Sequence, residues 1–452
     1  MSLRFSTRFF KIAGLVLLVG LGAWMRWTAV VDTEVEKPVR GDAEEYMAAA
    51  RNLVKYGVYS EHAPPEDDGE EPAPSAKRSP GFPLWAALFM DPDDMEKSMD
   101  RILLGNWALS IISLVLLAFL FYRVLPYWAC CAVLFLVAIS PHLININVYL
   151  LTEPLFTLGV SAIFAVYWLV VTRPGVASAL GLGAMLGLTN LVRPSLLLLA
   201  LPLVVFMAFK LPSHVRWKSC AAMLAVSVVI SLSWNVRNLV SIDSFSDPQL
   251  SANFLHHGMY PGFEYKDRDF TFGYPYRFDP KSEVLSGNVP RILDEIGNRF
   301  QQQPGKHLHW YFLGKPAFLY SWDIVAGFAD IFVYKVKKTP YSENKLFDST
   351  NLISYYVHGP MVALAFLGVF FVWLPSFWPS MSSPQRHLFQ FSSLFIIYFT
   401  GFHVIGAPFP RYGIPVRPFV YMQAFFVLGG IYEHVRETIK NARSGRNYTL
   451  SE

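Results

Sequence analysis

The sequence predicts an all-α polytopic membrane protein, on three observations. Of 452 residues, 53% are hydrophobic and only 16% charged, against roughly 25% charged residues in a soluble domain. The apolar residues gather into about ten runs near the length that crosses the hydrocarbon core as a helix. The basic residues of the short loops fit one orientation of these runs, loop after loop. The net charge of +4 is small, and no basic cluster with interleaved aromatics points to nucleic acid. Cys130, Cys131 and Cys220 all lie in apolar runs, so they form neither a disulfide framework nor a zinc pattern.

The runs fall near 10–30, 102–122, 126–140, 150–171, 176–192, 194–209, 217–236, 352–375, 388–406 and 416–433. The first begins like a signal peptide, with Arg4, Arg8 and Lys11 before an apolar stretch. Trp24, Arg26 and Trp27 stand where a small-residue cleavage site belongs, so it reads as a retained span. The third and sixth runs are short, and Pro202 is expected to kink the sixth. The chain divides into a transmembrane part (1–240) with a first loop (31–101), a loop domain (241–351), C-terminal helices (352–434) and a tail (435–452). Cytoplasmic termini place Arg123, Arg173, the Lys210–Lys218 loop, Arg386 and the tail inside. They place 41–100, 141–150, Arg193, 238–351 and 407–415 outside, with most of the unusual polar residues.

On that outer face, Tyr46, Ala49, Ala50, Leu53 and Val54 recur at helical spacing and Gly57 ends the pattern. This predicts an amphipathic surface helix over Asp42–Tyr56. Glu61–Pro74 is acidic and proline-rich, the composition of a mobile loop. Gly81–Met90 is apolar but too short to span, so it reads as a second interfacial helix. After Asn238 the chain is rich in Tyr, Phe, Pro and Gly. It predicts a small, mixed, mostly irregular region with helices near Ile292–Gln303 and His307–Tyr320. No internal repeat suggests an inverted-repeat transporter.

Asp42 is the sharpest candidate for chemistry. A carboxylate where a span leaves the bilayer can take a proton from an attacking hydroxyl. It can equally be an N-cap, with Glu45 three residues on completing something close to a capping box. The basic residues Arg78, Arg193, Arg237, Lys315, Arg411 and Arg417 all fall on the outer face or at its boundary. Guanidinium groups bind phosphate oxygens bidentately; the plainer readings are snorkelling or pairing with carboxylates. Glu153 either caps the helix that Pro154 begins or holds an arginine. His256-His257 and His307-x-His309 lack H-x-x-x-H or E-x-x-H spacing, which argues against a metal site there. His403 lies inside the ninth run, and an ionisable group at that depth is a functional candidate.

Several short motifs recur in order: Gly-Asp-x-x-x-Tyr at 41–46, Arg-Ser-Pro-Gly-Phe-Pro-Leu-Trp at 78–85 and Leu-Thr-Glu-Pro-Leu at 151–155. Val-Arg-Pro follows at 192–194, Trp-Asn-Val-Arg-Asn at 234–238 and Arg-Tyr-Gly-Ile-Pro at 411–415. Together they resemble the bacterial members of the GT-C glycosyltransferase superfamily similar to protein O-mannosyltransferases and the lipid A aminoarabinose transferase. The likeness covers Asp42 to Pro418; segment 241–351 carries no matching motif.

The resemblance implies a GT-C fold and a sugar donor linked through phosphate to a polyprenyl lipid. It implies transfer with inversion to an extracytoplasmic acceptor (lipid, glycan or protein), in a bacterial inner membrane. By position, Asp42 would be the catalytic carboxylate. Arg193, Arg237 and Arg411 would hold the lipid phosphate, with Lys315 and Arg417 as further basic candidates. Glu45, Tyr46, Arg78 and Glu153 would line the cavity. Some relatives bind a divalent metal near the first-loop carboxylates; no ligand set is visible here, so that question stays open. The rivals are a transporter or flippase of a lipid-linked glycan, and a lipid-linked glycan polymerase or ligase. A transporter is expected to carry its ionisable residues near the bilayer midplane, whereas here they gather at one surface.

Overall fold

A computed structural model describes residues 2–65, 70–324, 329–374 and 381–448, with side chains from 8 to 440. Residues 66–69 of the acidic stretch and the end of the tail lie outside these.

Each of the apolar runs becomes helical. The helices are α1 (Ser2–Asp32), α2 (Asp42–Tyr56), α3 (Gly81–Ala87), α4 (Met95–Val124), α5 (Tyr127–Ile139), α6 (Glu153–Thr172) and α7 (Val176–Val192). They continue with α8 (Ala200–Lys210), α9 (Arg216–Ile242), α10 (Gln249–Gly258), α11 (Val289–Gln302), α12 (Lys345–Phe371), α13 (Ser383–Ile405) and α14 (Arg417–Tyr448). Among the described residues, seven helices are long and apolar enough to cross a membrane. An eighth crossing arises if α5 and the following 141–148 segment, bent by 51°, count as one. The remaining two of the ten runs are the shorter α7 and the 194–210 pair. In that pair the break falls before Pro202: residues 194–199 form a 3-10 turn, and Pro202 sits in the first turn of α8. There its missing N–H costs nothing.

Close backbone approach replaces hydrophobic drive inside a bilayer, and α7 shows how. A Cβ on Gly183 would lie 2.3 Å from the Met223 carbonyl oxygen of α9, and one on Gly187 2.7 Å from Ile230. Aromatic packing supplies the centre: Phe164 of α6 stacks on Phe419 of α14 with centroids 3.7 Å apart. Arg26 is buried in α1 and donates to Ser110 Oγ (2.8 Å) and to the carbonyls of Gly22, Val137 and Ala138. A guanidinium so saturated ties α1, α4 and α5 together and has little capacity left for a ligand.

A two-stranded antiparallel sheet pairs β1 (Glu34–Val35), just after α1, with β2 (Val336–Lys338), near the end of the loop domain. This short ladder brings Tyr334 and Lys335 beside the start of α2. The loop domain is more helical than expected: α10, α11 and the 304–319 stretch pack on one another and on α13. A Cβ on Gly258 would lie 2.1 Å from the Gly406 carbonyl oxygen, and one on Gly406 2.0 Å from the Phe254 ring. That contact fixes the loop domain against the last two spans.

Candidate active site

The site is assembled where the first loop, the loop domain and the turn before α14 meet. Gly41, at φ +54°, turns the chain from Arg40 into α2, a left-handed conformation that costs glycine little. Asp42 is therefore the first helical residue, and its side chain makes no cap bond. This corrects the capping expectation: glycine takes the N-cap position and frees the carboxylate. Glu45 likewise reaches sideways instead of back to the helix start.

Arg78 Nη2 donates to Asp42 Oδ1 at 2.8 Å, and Arg411 Nη2 donates to Asp42 Oδ2. Arg78 Nε donates to Glu45 Oε2, while Lys77 Nζ donates to Glu45 Oε1 at 2.6 Å. Two carboxylates thus face three cations. Arg78 also lies 5.2 Å from the Tyr46 ring centre, and Tyr46 packs edge-on against Phe82 of α3. The α3 helix docks on the end of α7 so tightly that a Cβ on Gly81 would meet Val192 at 2.7 Å. Glycine there lets the Arg78 turn approach the Arg193 turn.

Burial alone would raise the pKa of Asp42. The Arg411 and Arg78 guanidinium groups outweigh it and hold the carboxyl well below the usual carboxylate range. Burial works against the charge on Arg78, but the Asp42 and Glu45 carboxylates outweigh it and push the guanidinium up, so it stays charged. Burial, with Asp42 nearby, raises the Tyr46 phenol, which stays protonated.

These groups border a cavity of about 730 Å³, lined by Asp42, Arg78, Arg411 and Tyr412 on one side and by Tyr276 and Arg277 of the loop domain on the other. Arg40, Tyr334 and Lys335 complete the wall; Arg40 stacks over Tyr334 at 5.1 Å. Burial lowers the His257 imidazole to about 4, with His256 and Arg277 adding, so it joins the wall as a neutral ring against Tyr276 and Phe409.

Behind this wall stands a second pair. Arg193 donates to Glu153 Oε1 and, at 2.6 Å, to Thr152 Oγ1. Its guanidinium lies 5.2 Å from the Tyr412 ring centre. Glu153 is 1% exposed, so it reaches the cavity through Arg193 and Tyr412. Among the alternatives for Glu153, the structure shows the arginine partner.

Three of the basic candidates are placed elsewhere. Arg237 donates to the carbonyls of Ser75 (2.6 Å) and Tyr59 (3.1 Å) and stacks on Trp234, in a separate groove of about 620 Å³. Lys315 is buried, its Nζ 2.7 Å from the Val404 carbonyl oxygen and 3.4 Å from the Tyr311 ring centre. Arg417 is buried and donates to the Ser321 carbonyl at 3.0 Å. His403 bonds the Phe399 carbonyl and packs on Tyr412. Missed by the sequence reading were Arg40, Lys77, Tyr334 and Arg277. Arg40 and Lys77 adjoin the motifs that were read; for Tyr334 and Arg277 no sequence signal existed, since only the β1–β2 pairing and the docking of α10 bring them in.

No group of three or more His, Cys, Asp or Glu among the described residues could hold a metal ion, and both Asp42 oxygens accept from arginine.

No protein-family model and no curated protein matches this chain. Solved structures do. An archaeal oligosaccharyltransferase, AglB from Archaeoglobus fulgidus in complex with an inhibitory peptide and a dolichol-phosphate, is 11% identical with a TM-score of 0.49. The alignment covers 96% of this chain and 52% of that one. The apo form of the Archaeoglobus fulgidus oligosaccharyltransferase is 13% identical, TM-score 0.48, over 96% and 52% of the two chains. ArnT from Cupriavidus metallidurans bound to undecaprenyl phosphate is 13% identical, TM-score 0.40, over 92% and 77%. This chain spans about half the length of the oligosaccharyltransferases it is similar to.

Proposed function

We propose that this chain is a GT-C-type membrane glycosyltransferase. It moves a sugar from a polyprenyl-phosphate carrier, with inversion, to an acceptor hydroxyl at the extracytoplasmic face of a bacterial inner membrane, both its termini being cytoplasmic. One observation carries the proposal: Asp42 is held between Arg78 and Arg411 at the edge of a roomy cavity fed by the first loop, the loop domain and the turn before α14. The ordered motifs of the sequence support it, because Asp42, Arg78, Arg193 and Arg411 come from four of them and converge.

The chemistry follows from charge. The acceptor oxygen bonds to the anomeric carbon on the face opposite the phosphate. The carbon–oxygen bond to phosphate breaks, and its electron pair leaves on the phosphate oxygen. The acceptor proton passes to Asp42. A phosphate leaving group needs positive charge in preference to a general acid, and Arg78 and Arg411 are poised to supply it. Each guanidinium has five N–H donors; the carboxylate contacts use two on Arg78 and one on Arg411. Held by both arginines, Asp42 is a weak base. Donor phosphate drawing those donors away would raise its basicity when the acceptor is to be deprotonated. Arg193 and Glu153 hold the Tyr412 side of the cavity.

The test is donor turnover by the purified protein in nanodiscs. A panel of polyprenyl-phosphate sugars is supplied with envelope extract, and released polyprenyl phosphate is read by mass spectrometry. Release by the wild type, lost in a folded Asp42→Asn protein, is expected. Lipid-linked glycan crossing proteoliposomes without any release would replace the transferase with a flippase. Product mass separates single-sugar transfer from glycan polymerisation or ligation.

A further inference from the structure

We propose that a second cavity, of about 500 Å³ in the loop domain, is a saccharide subsite for a neutral, hydroxyl-rich part of the acceptor. Its acceptor role rests on the transferase reading above.

The cavity is polar yet charge-matched. Asp279 accepts from Arg299 Nη2 at 2.6 Å and from the Tyr260 hydroxyl at 2.8 Å. Glu295 accepts from Arg299 Nε at 2.9 Å and Lys281 Nζ at 2.8 Å. Over the whole lining four carboxylates (Glu264, Asp267, Asp279, Glu295) face four cations (Lys266, Lys281, Arg299, Lys306), so no surplus charge remains to draw an ion. What remains is hydrogen-bonding capacity: spare lone pairs on carboxylates held by their ion pairs, and the exposed amides of Gln302 and Gln303 on the rim. Sugar hydroxyls both donate and accept, and such a mixed set suits them.

Tyr265, half-buried and set at 67° to Tyr260, gives the cavity an aromatic face against which the C–H side of a pyranose can pack. Lys266 and Asp267 next to it both hold left-handed backbone, at φ +55° and +53°, in a tight turn closed by the Tyr265–Arg268 bridge. That turn ordinarily takes glycine, asparagine or aspartate, so Asp267 suits it and Lys266 is the residue held against its preference. Here Lys306 bonds both Asp267 oxygens, at 2.5 and 2.7 Å, holding the strained turn at the lip. Non-glycine residues kept in this region cluster at ligand clamps.

The location links the cavity to the acceptor side of the site. Asp279 and Tyr260 line this cavity, whereas Arg277, Tyr276 and His257 line the Asp42 cavity. His256, one residue before His257, bonds the Tyr260 hydroxyl at 3.2 Å. The same two stretches of chain are the partition between the cavities. A glycan with its attacking hydroxyl beside Asp42 would have its further sugars within reach of this second cavity.

The test uses the full chain in nanodiscs and isothermal titration with neutral hexasaccharides of glucose, mannose, galactose and N-acetylglucosamine, with inorganic phosphate as the anionic probe. Saturable binding of at least one neutral hexasaccharide is expected. Tyr265→Ala should weaken it about tenfold or more, and the Gln302→Ala, Gln303→Ala double variant should weaken it less. No neutral hexasaccharide binding, binding of phosphate alone, or binding indifferent to Tyr265→Ala would overturn the subsite. Hexasaccharide binding without donor turnover keeps the subsite and sinks the transferase; turnover without hexasaccharide binding does the reverse.

Discussion

Two ion clusters on the loop-bearing face are built from the same parts and differ in two respects, their charge balance and the exposure of their carboxylates. Around Asp279, two carboxylates meet two cations, with Asp279 3% and Arg299 17% exposed at the side chain. Around Asp42, two carboxylates meet three cations, and the Asp42 side chain is 25% exposed. The first cluster is neutral, its carboxylates covered and its Lys281 exposed, and it holds α11 to the turn carrying Asp279. The second opens on a cavity with positive charge to spare, which suits an arriving phosphate. Arginine–carboxylate contacts alone therefore identify neither a site nor a strut; stoichiometry and exposure do.

Substitutions should separate the two. The largest expected effect is on Asp42→Asn, with donor turnover per folded molecule down about a thousandfold and the melting midpoint lowered by the loss of its ion pairs. Asp279→Asn leaves the Asp42 carboxylate in place, so its effect should fall on the unfolding midpoint and on the acceptor KM, with kcat per folded molecule kept. Removing the more buried cation of the neutral cluster, as Arg299→Met, leaves Asp279 with only the Tyr260 hydroxyl and Glu295 with only Lys281. It should cost about 3 kcal/mol, read as a lowered unfolding midpoint. Loss of turnover with no loss of stability in that variant would erase the distinction drawn here.

Arg411→Gln at the open cluster should lower kcat/KM about a hundredfold, with a small stability change because Asp42 keeps Arg78. Gly258→Ala probes the seam between the loop domain and the spans. Its Cβ would collide with the Gly406 carbonyl, so a loss of about 2 kcal/mol is expected, seen as earlier proteolysis of the loop domain. The smallest effect is on pH. Asp42 has its folded pKa depressed below its ordinary 3.8, so its ion pairs contribute stability fully above about pH 4. That contribution is lost as pH falls from there through the folded value. An acid-unfolding curve for Asp42→Asn should be flatter below pH 4 than the wild-type curve.

Much of the scaffold was legible because hydrophobicity is a local property. The α2 helix falls on Asp42–Tyr56 as expected, ended by Gly57 at φ +71°, since helical spacing and a left-handed glycine are both written in the chain. Asp42, Arg78 and Arg411 were legible as motif residues. What each does was not: capping lost to Gly41, whose backbone angle no neighbour in sequence dictates. Arg411 and Arg417, six positions apart, look alike in sequence, yet one meets a carboxylate at a cavity and the other a backbone carbonyl in the interior.

Composition and period alone were enough for a helical chain with runs of membrane-spanning length, and for the bounds of α2. The solvent reads both one segment at a time. Only the tertiary structure decided which arginines converge, because Arg78 and Arg411 lie 36 and 369 residues from Asp42. It also decided that Glu153 sits behind the wall and that the loop domain carries a second cavity. Those outcomes depend on distances between distant segments, and such distances are fixed by packing at Gly81, Gly258 and Gly406, not by any local pattern.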